Sequence, residues 1–472
     1  MTTSPKSASD SGVDDLHPGQ RRGVRAQDDD FTSTGPGTIA GDYLRRFWQP
    51  VYHSADLAAG SAVPITIMGQ EYTLYRSQVA QVAQGAQGDQ SGADAALPPA
   101  YLVDGRCPHR GTQLSTGWIE GHQLRCFYHG WSFASNGQCV EQPAEEPDFS
   151  RKVSIGAYPV REYLGLIFAY LGELSEGQPP EFPEHPEFEH FDGLLEIDSY
   201  SRECNYFQNL ENALDMSHVA FVHGDNRAAF REIGAGPRLQ AEESAWGVRY
   251  IYQRPDGEQR IQQFGMPNMF YMTALPTDAE IGWQESLFWW VPIDDRRHMQ
   301  FSIHRVPATG TTAERIHARR EARRSEITLA HQEVAEQILA GELRLADVDR
   351  DKVDLVRLQD DIAQVGQGRV APRSLDRIGR ADIGVIAIRK LWSRELAQLR
   401  QGLPLKHWKR DASIVPRAWG LVRGERARLG AEGLVADGSV EARIVDVRPH
   451  VAIRVQLRAL HGRGGPADRW SS

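Results

Sequence analysis

No stretch of this 472-residue chain runs to 18 apolar residues. The longest candidates, YLGLIFAYLG and DIGVIAIRKLW, are short or charged, so no membrane-spanning helix is expected. The opening MTTSPKSASDSGVDDLHPGQRRGVRAQDDD has neither an apolar core nor a small-residue cleavage site. It does not read as a secretory signal, and the cytoplasm is the expected compartment. Positive charge is also in deficit: 53 Lys and Arg against 63 Asp and Glu leave a net charge of -10. That argues against a nucleic-acid binder, because neutralising phosphates takes a basic surface. Cysteine is scarce, with only Cys107, Cys126, Cys139 and Cys204. Four are too few for a disulfide framework at this length, and in a reducing compartment a Cys/His cluster points to metal.

What remains is an ordinary globular composition, 40% hydrophobic and 25% charged, in a chain long enough for two domains. Residues 1–37, rich in Ser, Asp, Gly and Pro, read as a disordered tail. TIAGDYLRRFWQPVYHS then places Ala40, Tyr43, Leu44 and Phe47 at helical spacing, ended by Pro50. From Val63 to about residue 175, short alternating segments punctuated by Gly, Pro and Asn predict an all-β unit, interrupted by a Gln/Gly/Ala-rich surface insertion at 79–100. A Pro/Glu linker, SEGQPPEFPEHPEFEHFDG, leads to a helical stretch at CNYFQNLENALDMSHVAFVH. Strand-like segments follow at WGVRYIYQRP, QRIQQFGMPNMFYMTAL, GWQESLFWWVPID and RHMQFSIHRV, and then two long helical segments, 312–341 and 382–402. The expectation is an α+β protein with an all-β domain at 38–175 and an α+β domain at 176–410. The extension at 411–472 has no assigned role, although SVEARIVDVRPHVAIRVQL alternates like a pair of strands.

Residues 105–133, GRCPHRGTQLSTGWIEGHQLRCFYHGWSF, carry Cys107 and His109, then sixteen residues, then Cys126 and His129. One Cys and one His on each of two loops is the pattern of a Rieske [2Fe-2S] centre, in which one iron takes two thiolates and the other two imidazoles. Structural zinc also accepts two Cys and two His, but usually as a Cys pair followed by a His pair. Gly111 and Gly130 suit loops that bend around a cluster.

A second constellation, ENALDMSHVAFVHGDN, holds Asp215, His218 and His223. Two imidazoles and a carboxylate on one face of an iron leave positions open for O₂. Asp215 and His218 would share a helical face, whereas His218 and His223, five apart, would diverge by about 140° on an ideal helix. Either the helix ends between them or a π-type turn forms. The bland alternative is two histidines on an ordinary amphipathic helix. Phe264, Met266, Phe270, Trp289 and Trp290 could line a pocket, although aromatic alternation in strands usually marks plain core. Cys139 and Cys204 read as small buried apolar residues.

CPHRG followed by CFYHGW resembles the Rieske motif of the Rieske non-haem iron oxygenases, terminal components that hydroxylate or O-demethylate aromatic compounds. RCPHRGTQLSTGWIEG, CFYHGWSF, EQPAEEP and EYLGLIFAYLGE are most similar to the dehydrodivanillate O-demethylase subgroup. The resemblance covers roughly residues 38–400. It implies an antiparallel sheet flanked by helices, of helix-grip type, in the second domain. It also implies a [2Fe-2S] cluster on Cys107, His109, Cys126 and His129, and mononuclear Fe(II) on His218 and His223. The segment LQDDIAQVGQG, similar to the family's QD segment, selects Asp360 as third ligand, with adjacent Asp361 as the fallback. Asp215 would not be a ligand but a bridge carrying electrons from His129 of the partner subunit to His218, which implies a ring, a homotrimer in this family. No GxGxxG opens a helix after a strand and no further Cys cluster is present, so electrons from NAD(P)H must come through a separate reductase, with or without a ferredoxin. The substrates implied are O₂ and a small lignin-type aromatic or aromatic acid.

If the two Cys/His loops hold an iron–sulfur cluster, Cys107→Ser or Cys126→Ser abolishes the visible absorption of the purified protein. A coloured mutant with full acid-labile sulfide contradicts the assignment.

Overall fold

The computed structural model describes residues 30–79, 97–146, 148–191, 193–224, 238–253, 259–278, 282–306, 308, 310–410 and 443–449. Most of the 79–100 insertion, the first 29 residues and most of the C-terminal extension therefore lie outside the described residues.

The N-terminal part is built from three small sheets. Gln49–His53, Leu166–Ala169 and Val160–Tyr163 form one, and Ala62–Ile67, Gln70–Arg76, Ala100–Asp104 and Ala157–Tyr158 form the second. The third, a four-stranded meander of Trp118–Glu120, Gln123–Arg125, Ser132–Phe133 and Cys139–Glu141, carries the Cys/His loops at one end. Its core holds Leu114, Ile119, Leu124 and Phe133 beneath Cys107 and Cys126, so the thiols sit on apolar packing.

The C-terminal part is an eight-stranded sheet. From edge to edge it runs Arg238–Glu243, Gly247–Gln253, Gln259–Gly265, Met269–Asp278, Gly282–Asp294, Arg297–Val306, Leu194–Arg202 and Arg443–Asp446. Every pairing is antiparallel except the last. The long helix Ile383–Arg400 packs on the first two strands, with Trp392 fully buried and its indole N–H donated to the Pro267 carbonyl at 3.2 Å. Two backbone hydrogen bonds join the parts: the turn residues Met68 and Gly69 donate to the Pro292 and Ile293 carbonyls, each at 2.8 Å.

Several expectations need correction. Residues 30–37 are not tail. Phe31 is buried and stacks on Phe207 at 4.0 Å, and the Thr34 N–H donates to Asp295 at 2.7 Å. A single aromatic plug tied by backbone hydrogen bonds needs no periodicity, so composition gives no sign of it. The helical stretch at 312–341 is two helices, Gly310–Ser325 and His331–Leu339, parted where the Thr328 and Leu329 N–H groups both donate to the Lys352 carbonyl. Strand Leu194–Arg202 was not foreseen. Its Glu196, Asp198 and Arg202 look like a solvent face but are buried against ion-pair partners, Arg320 for Glu196 and Arg357 for Asp198.

Within the extension, Arg443–Asp446 adds a parallel strand beside Leu194–Arg202, and the buried Arg448 that follows reaches Asp56 at 2.8 Å. The C-terminal segment thus ties the Cys/His-bearing part to the large sheet. Arg448→Met leaves two carboxylates, Asp56 and Asp446, that are each about one-third exposed. Discounted for that exposure, the loss is on the order of 1–2 kcal/mol, read as a lower midpoint in chemical denaturation. An unchanged midpoint removes the clamp.

Candidate active site

The two Cys/His loops have the same backbone plan. The Cys107 N–H donates to the Thr112 carbonyl at 2.8 Å and the Gly111 N–H to the Cys107 carbonyl at 2.9 Å. Shifted by nineteen positions, the Cys126 N–H donates to the Trp131 carbonyl at 2.8 Å and the Gly130 N–H to the Cys126 carbonyl at 3.1 Å. Gly111 and Gly130 close these turns at φ +75° and +71°, where a side chain would be strained. Each loop therefore presents a buried thiol and, two or three residues on, an imidazole near the surface. The His109 and His129 rings meet at 4.4 Å, and Trp131 stacks on His109 at 4.5 Å. Burial above all, with Cys126 adjacent, pushes the Cys107 thiol up to about 12, so a thiolate there requires a cation. In a zinc tetrahedron the sulfurs and nitrogens would sit within about 4 Å of one another. Among the described residues only His218, His223 and Asp360 bring three such ligand atoms within 4.8 Å. The loops thus fit a cluster that takes its thiolates and imidazoles on two different irons better than a single ion.

The second set forms around a broken helix. Tyr206–Ala213 ends at Leu214, and the Asp215 carboxylate accepts the Ser217 N–H at 2.8 Å, starting a new helix at Ser217–Val222. Asp215 consequently precedes this helix rather than sharing a face with His218, yet its Oδ2 still lies 3.7 Å from His218 Nδ1. Helix Ser217–Val222 stops one residue before His223, whose backbone leaves helical geometry and lets both imidazoles turn the same way, ring centroids 5.5 Å apart. No π-type turn is involved.

The third donor comes from helix Leu355–Val365. Adjacent positions on a helix point about 100° apart, and Asp360 and Asp361 separate accordingly. Asp360 Oδ1 sits 3.4 Å from His223 Nε2, and Asn212 Nδ2 donates to the same oxygen at 3.3 Å. Asp361 turns inward, accepting from Arg202 Nε at 2.6 Å and pairing with His331 Nδ1 at 2.5 Å. Burial alone would raise the Asp360 carboxyl, but His223, Arg202 and His218 outweigh it and bring it to about 2. Its charge is thereby kept at the two histidines. The amide oxygen of Gln359 lies 3.1 Å from His223 Nδ1; accepting a hydrogen bond from Nδ1–H leaves Nε2 as the lone-pair donor. Two imidazoles and one carboxylate match the facial donor set of non-haem iron. Gln359, in the same QD segment as Asp360, had no role in the sequence reading. Arg202, Asn212 and His331 are further positions that only contacts distant in sequence reveal.

Beside the triad opens a cavity of about 350 Å³. Phe270, Phe288 and Trp290 form an aromatic wall, with Phe288 and Trp290 stacked in parallel at 6.1 Å. Of the five aromatic and Met positions considered for a pocket, Phe270 and Trp290 line it, whereas Phe264, Met266 and Trp289 belong to the buried core. Cys139 and Cys204 are buried. No helix among the described residues is long and apolar enough to cross a membrane.

Two family profiles match the chain: the Rieske [2Fe-2S] domain over residues 47–163 and the vanillate O-demethylase oxygenase C-terminal domain over 202–365. Together with the two donor sets they define a class, and the chain belongs to the Rieske non-haem iron oxygenases as a terminal-oxygenase (alpha) subunit. Among its relatives is the 5,5'-dehydrodivanillate O-demethylase oxygenase subunit of Sphingobium sp., 28% identical over 82% of this chain and 84% of the relative. Phenoxybenzoate dioxygenase subunit alpha of Ectopseudomonas oleovorans is 29% identical over 79% and 86%. The fold is shared with NdmA of Pseudomonas putida CBB5, 18% identical with a TM-score of 0.53 over 78% of this chain and 94% of that one.

Replacing the two adjacent acids separates their roles. Asp360→Ala, like His218→Ala or His223→Ala, strips mononuclear iron while sparing the visible cluster spectrum. Asp361→Ala keeps the iron but costs roughly 3 kcal/mol of stability, because Arg202 is left buried without its close partner. Full iron in Asp360→Ala, or iron loss confined to Asp361→Ala, reverses the assignment.

Proposed function

We propose that this chain uses O₂ and electrons from NAD(P)H, delivered by a separate reductase with or without a ferredoxin, to O-demethylate or hydroxylate a lignin-type or other aromatic substrate. The observation that carries the reading is the position of the His218, His223 and Asp360 triad at the edge of an aromatic-walled cavity large enough for one or two rings. Similarity to the O-demethylase subunit over most of both chains supports the same chemistry. Bound at the Cys107, His109, Cys126 and His129 loops and at the triad, [2Fe-2S] and Fe(II) supply stored electrons and O₂ activation.

The chain's own residues do the rest. Gln359 holds the orientation of His223, and Asn212 that of Asp360. The aromatic wall aligns the ring and, by excluding water, protects the reacting site from unproductive side reactions. For a methyl ether, hydroxylation of the methyl carbon gives a hemiacetal that falls apart to formaldehyde and a phenol.

Electron delivery is proposed to cross between copies of the chain. His129 lies at a tip where Phe127 and Tyr128 are 67% and 52% exposed, and Phe221, between the two triad histidines, is 85% exposed. Each apolar patch is a candidate cover for the other in a ring, in which Asp215 would join His218 to His129 of the partner subunit; three copies is the size proposed. Ring cis-dihydroxylation is the second reading, favoured by the dioxygenase named among the relatives.

With a surrogate reductase and methoxylated aromatics, formaldehyde released in step with a phenol is expected, and a cis-diol product moves the protein to the second reading. Asp215→Asn retains both iron centres and its assembly but loses turnover by about 100-fold or more, as removal of an element that the reaction cannot bypass requires. Undiminished turnover in that variant disproves the bridge.

A further inference from the structure

The cavity lining carries two unlike strips. Beside the aromatic residues lie Tyr200, Gln300, Ser302, His304 and Arg357; Ser302 pairs with Phe288 and Gln300 with Trp290 in the sheet, and the His304 ring is 5.6 Å from that of Phe288. The first four follow from sheet register. Tyr200 pairs with Gln300, Asp198 with Ser302 and Ser286 with His304, so alternate positions of three adjacent strands form one polar strip. Tyr200 and Gln300 are mutually satisfied, the Tyr200 hydroxyl and the Trp290 indole both donating to the Gln300 side-chain amide oxygen (Oε1) at 2.8 Å. His304 and Arg357 are not.

His304 Nδ1 lies 2.8 Å from the Ser286 hydroxyl, and Nε2 has no hydrogen-bond partner among the described residues. Burial first, and then the charges of Arg357 and Arg320, bring this imidazole down to about 3, so it is neutral and stands in a positive field. Arg357 ion-pairs with Asp198 through Nη2, lies 3.3 Å from Asp354 through Nε and packs over the Tyr200 ring at 4.2 Å. Its Nη1 is buried with no hydrogen-bond partner among the described residues. Arg357 also sits in the first turn of helix Leu355–Val365 at the cavity wall; the N-terminus of that helix is already capped, the Asp354 carboxylate accepting the Arg357 backbone N–H at 3.2 Å, so the guanidinium and not the helix end is the group left to a ligand. A guanidinium N–H left bare inside the protein is a standing cost that an anionic hydrogen-bond acceptor removes.

We propose that His304 and Arg357 form the anchor for a carboxylate carried by the aromatic substrate. The ring then lies along Phe270, Phe288 and Trp290, and the carbon to be oxidised is the one held toward His218, His223 and Asp360. Nothing in the reaction requires an acid on the ring, so the anchor is a specificity device and not catalytic machinery. The proposal rests on the reading of this cavity as the substrate site of the oxygenase.

The probes are 3- and 4-methoxybenzoate and the matching methoxybenzamides, which keep shape but lose the charge. Calorimetric titration of the holoenzyme is expected to show at least one benzoate binding about tenfold or more tightly than its amide, the margin for a charge-assisted contact over a neutral one. In Arg357→Met and in His304→Leu that preference falls to about threefold or less, and His304→Gln, which keeps a hydrogen-bonding group, retains more of it than His304→Leu. Cluster absorbance and circular dichroism establish that each variant is folded; should Arg357→Met fail to fold, His304→Leu decides. Equal affinity for acid and amide, no benzoate binding at about 10 mM, or an undiminished preference in folded Arg357→Met or His304→Leu overturns the anchor. Oxidation of amides and acids alike would sink the anchor and leave the oxygenase standing. Acid-selective binding without O₂-dependent product from any aromatic would do the reverse.

Discussion

Two neighbouring carboxylates can both be buried only if each finds its own positive or proton-sharing partner, and much of the catalytic part is arranged around that requirement at Asp360 and Asp361. Asp361 is neutralised by Arg202 and His331, Asp360 by proximity to His223 and His218. Meeting both demands brings together strand Leu194–Arg202, helix His331–Leu339, helix Leu355–Val365 and the broken helix pair around Asp215. Arg202 reaches further still, donating to Asn209, which in turn lies 3.1 Å from His298 Nε2. The triad is therefore held by a polar network behind it and is not left to the conformational preferences of three independent side chains.

The same logic explains the unusual strand Leu194–Arg202. All nine of its residues are buried, though five of them, Glu196, Asp198, Ser199, Ser201 and Arg202, are charged or serine. One side of the strand packs Leu195 and Ile197 into the main hydrophobic cluster. The other directs Glu196, Asp198 and Tyr200 toward arginines and the cavity. Charges on the inner face of a sheet are tolerated where each is paired locally, and here that pairing brings a few polar groups to the cavity.

The two halves of the molecule solve different problems. Around Cys107 and Cys126 the backbone does most of the work: repeated turn hydrogen bonds and two left-handed glycines set the loops, and a small apolar core supports the thiols. That end can afford exposure, and His109 with the neighbouring Phe127 and Tyr128 stands at the surface. Around His218, His223 and Asp360 side chains from distant segments do the positioning, inside a cavity. Exposure at the first suits the electron-transfer role proposed for it, and enclosure at the second suits the proposed oxidation.

The first of these sites was legible in the sequence because its chemistry is local. Cys107, His109, Cys126 and His129 fall within 23 residues, and the turn glycines lie in the same short loops. Asp215, His218 and His223 were equally visible as a spacing, but the direction in which they point was not: the Asx turn at Asp215 and the helix end before His223 decide it. Asp360 could be selected only by resemblance, since two adjacent acids are chemically identical on paper. Only in the folded chain does a 100° step around one helix send one carboxylate to the histidines and the other to Arg202. The polar inner strand and the plug at Phe31 were hidden for a related reason, and the strand at Arg443–Asp446, legible as alternation, gave no sign of its partner Leu194–Arg202. Local patterns record what a segment prefers by itself, whereas burial of charge is decided by partners that arrive from more than a hundred residues away.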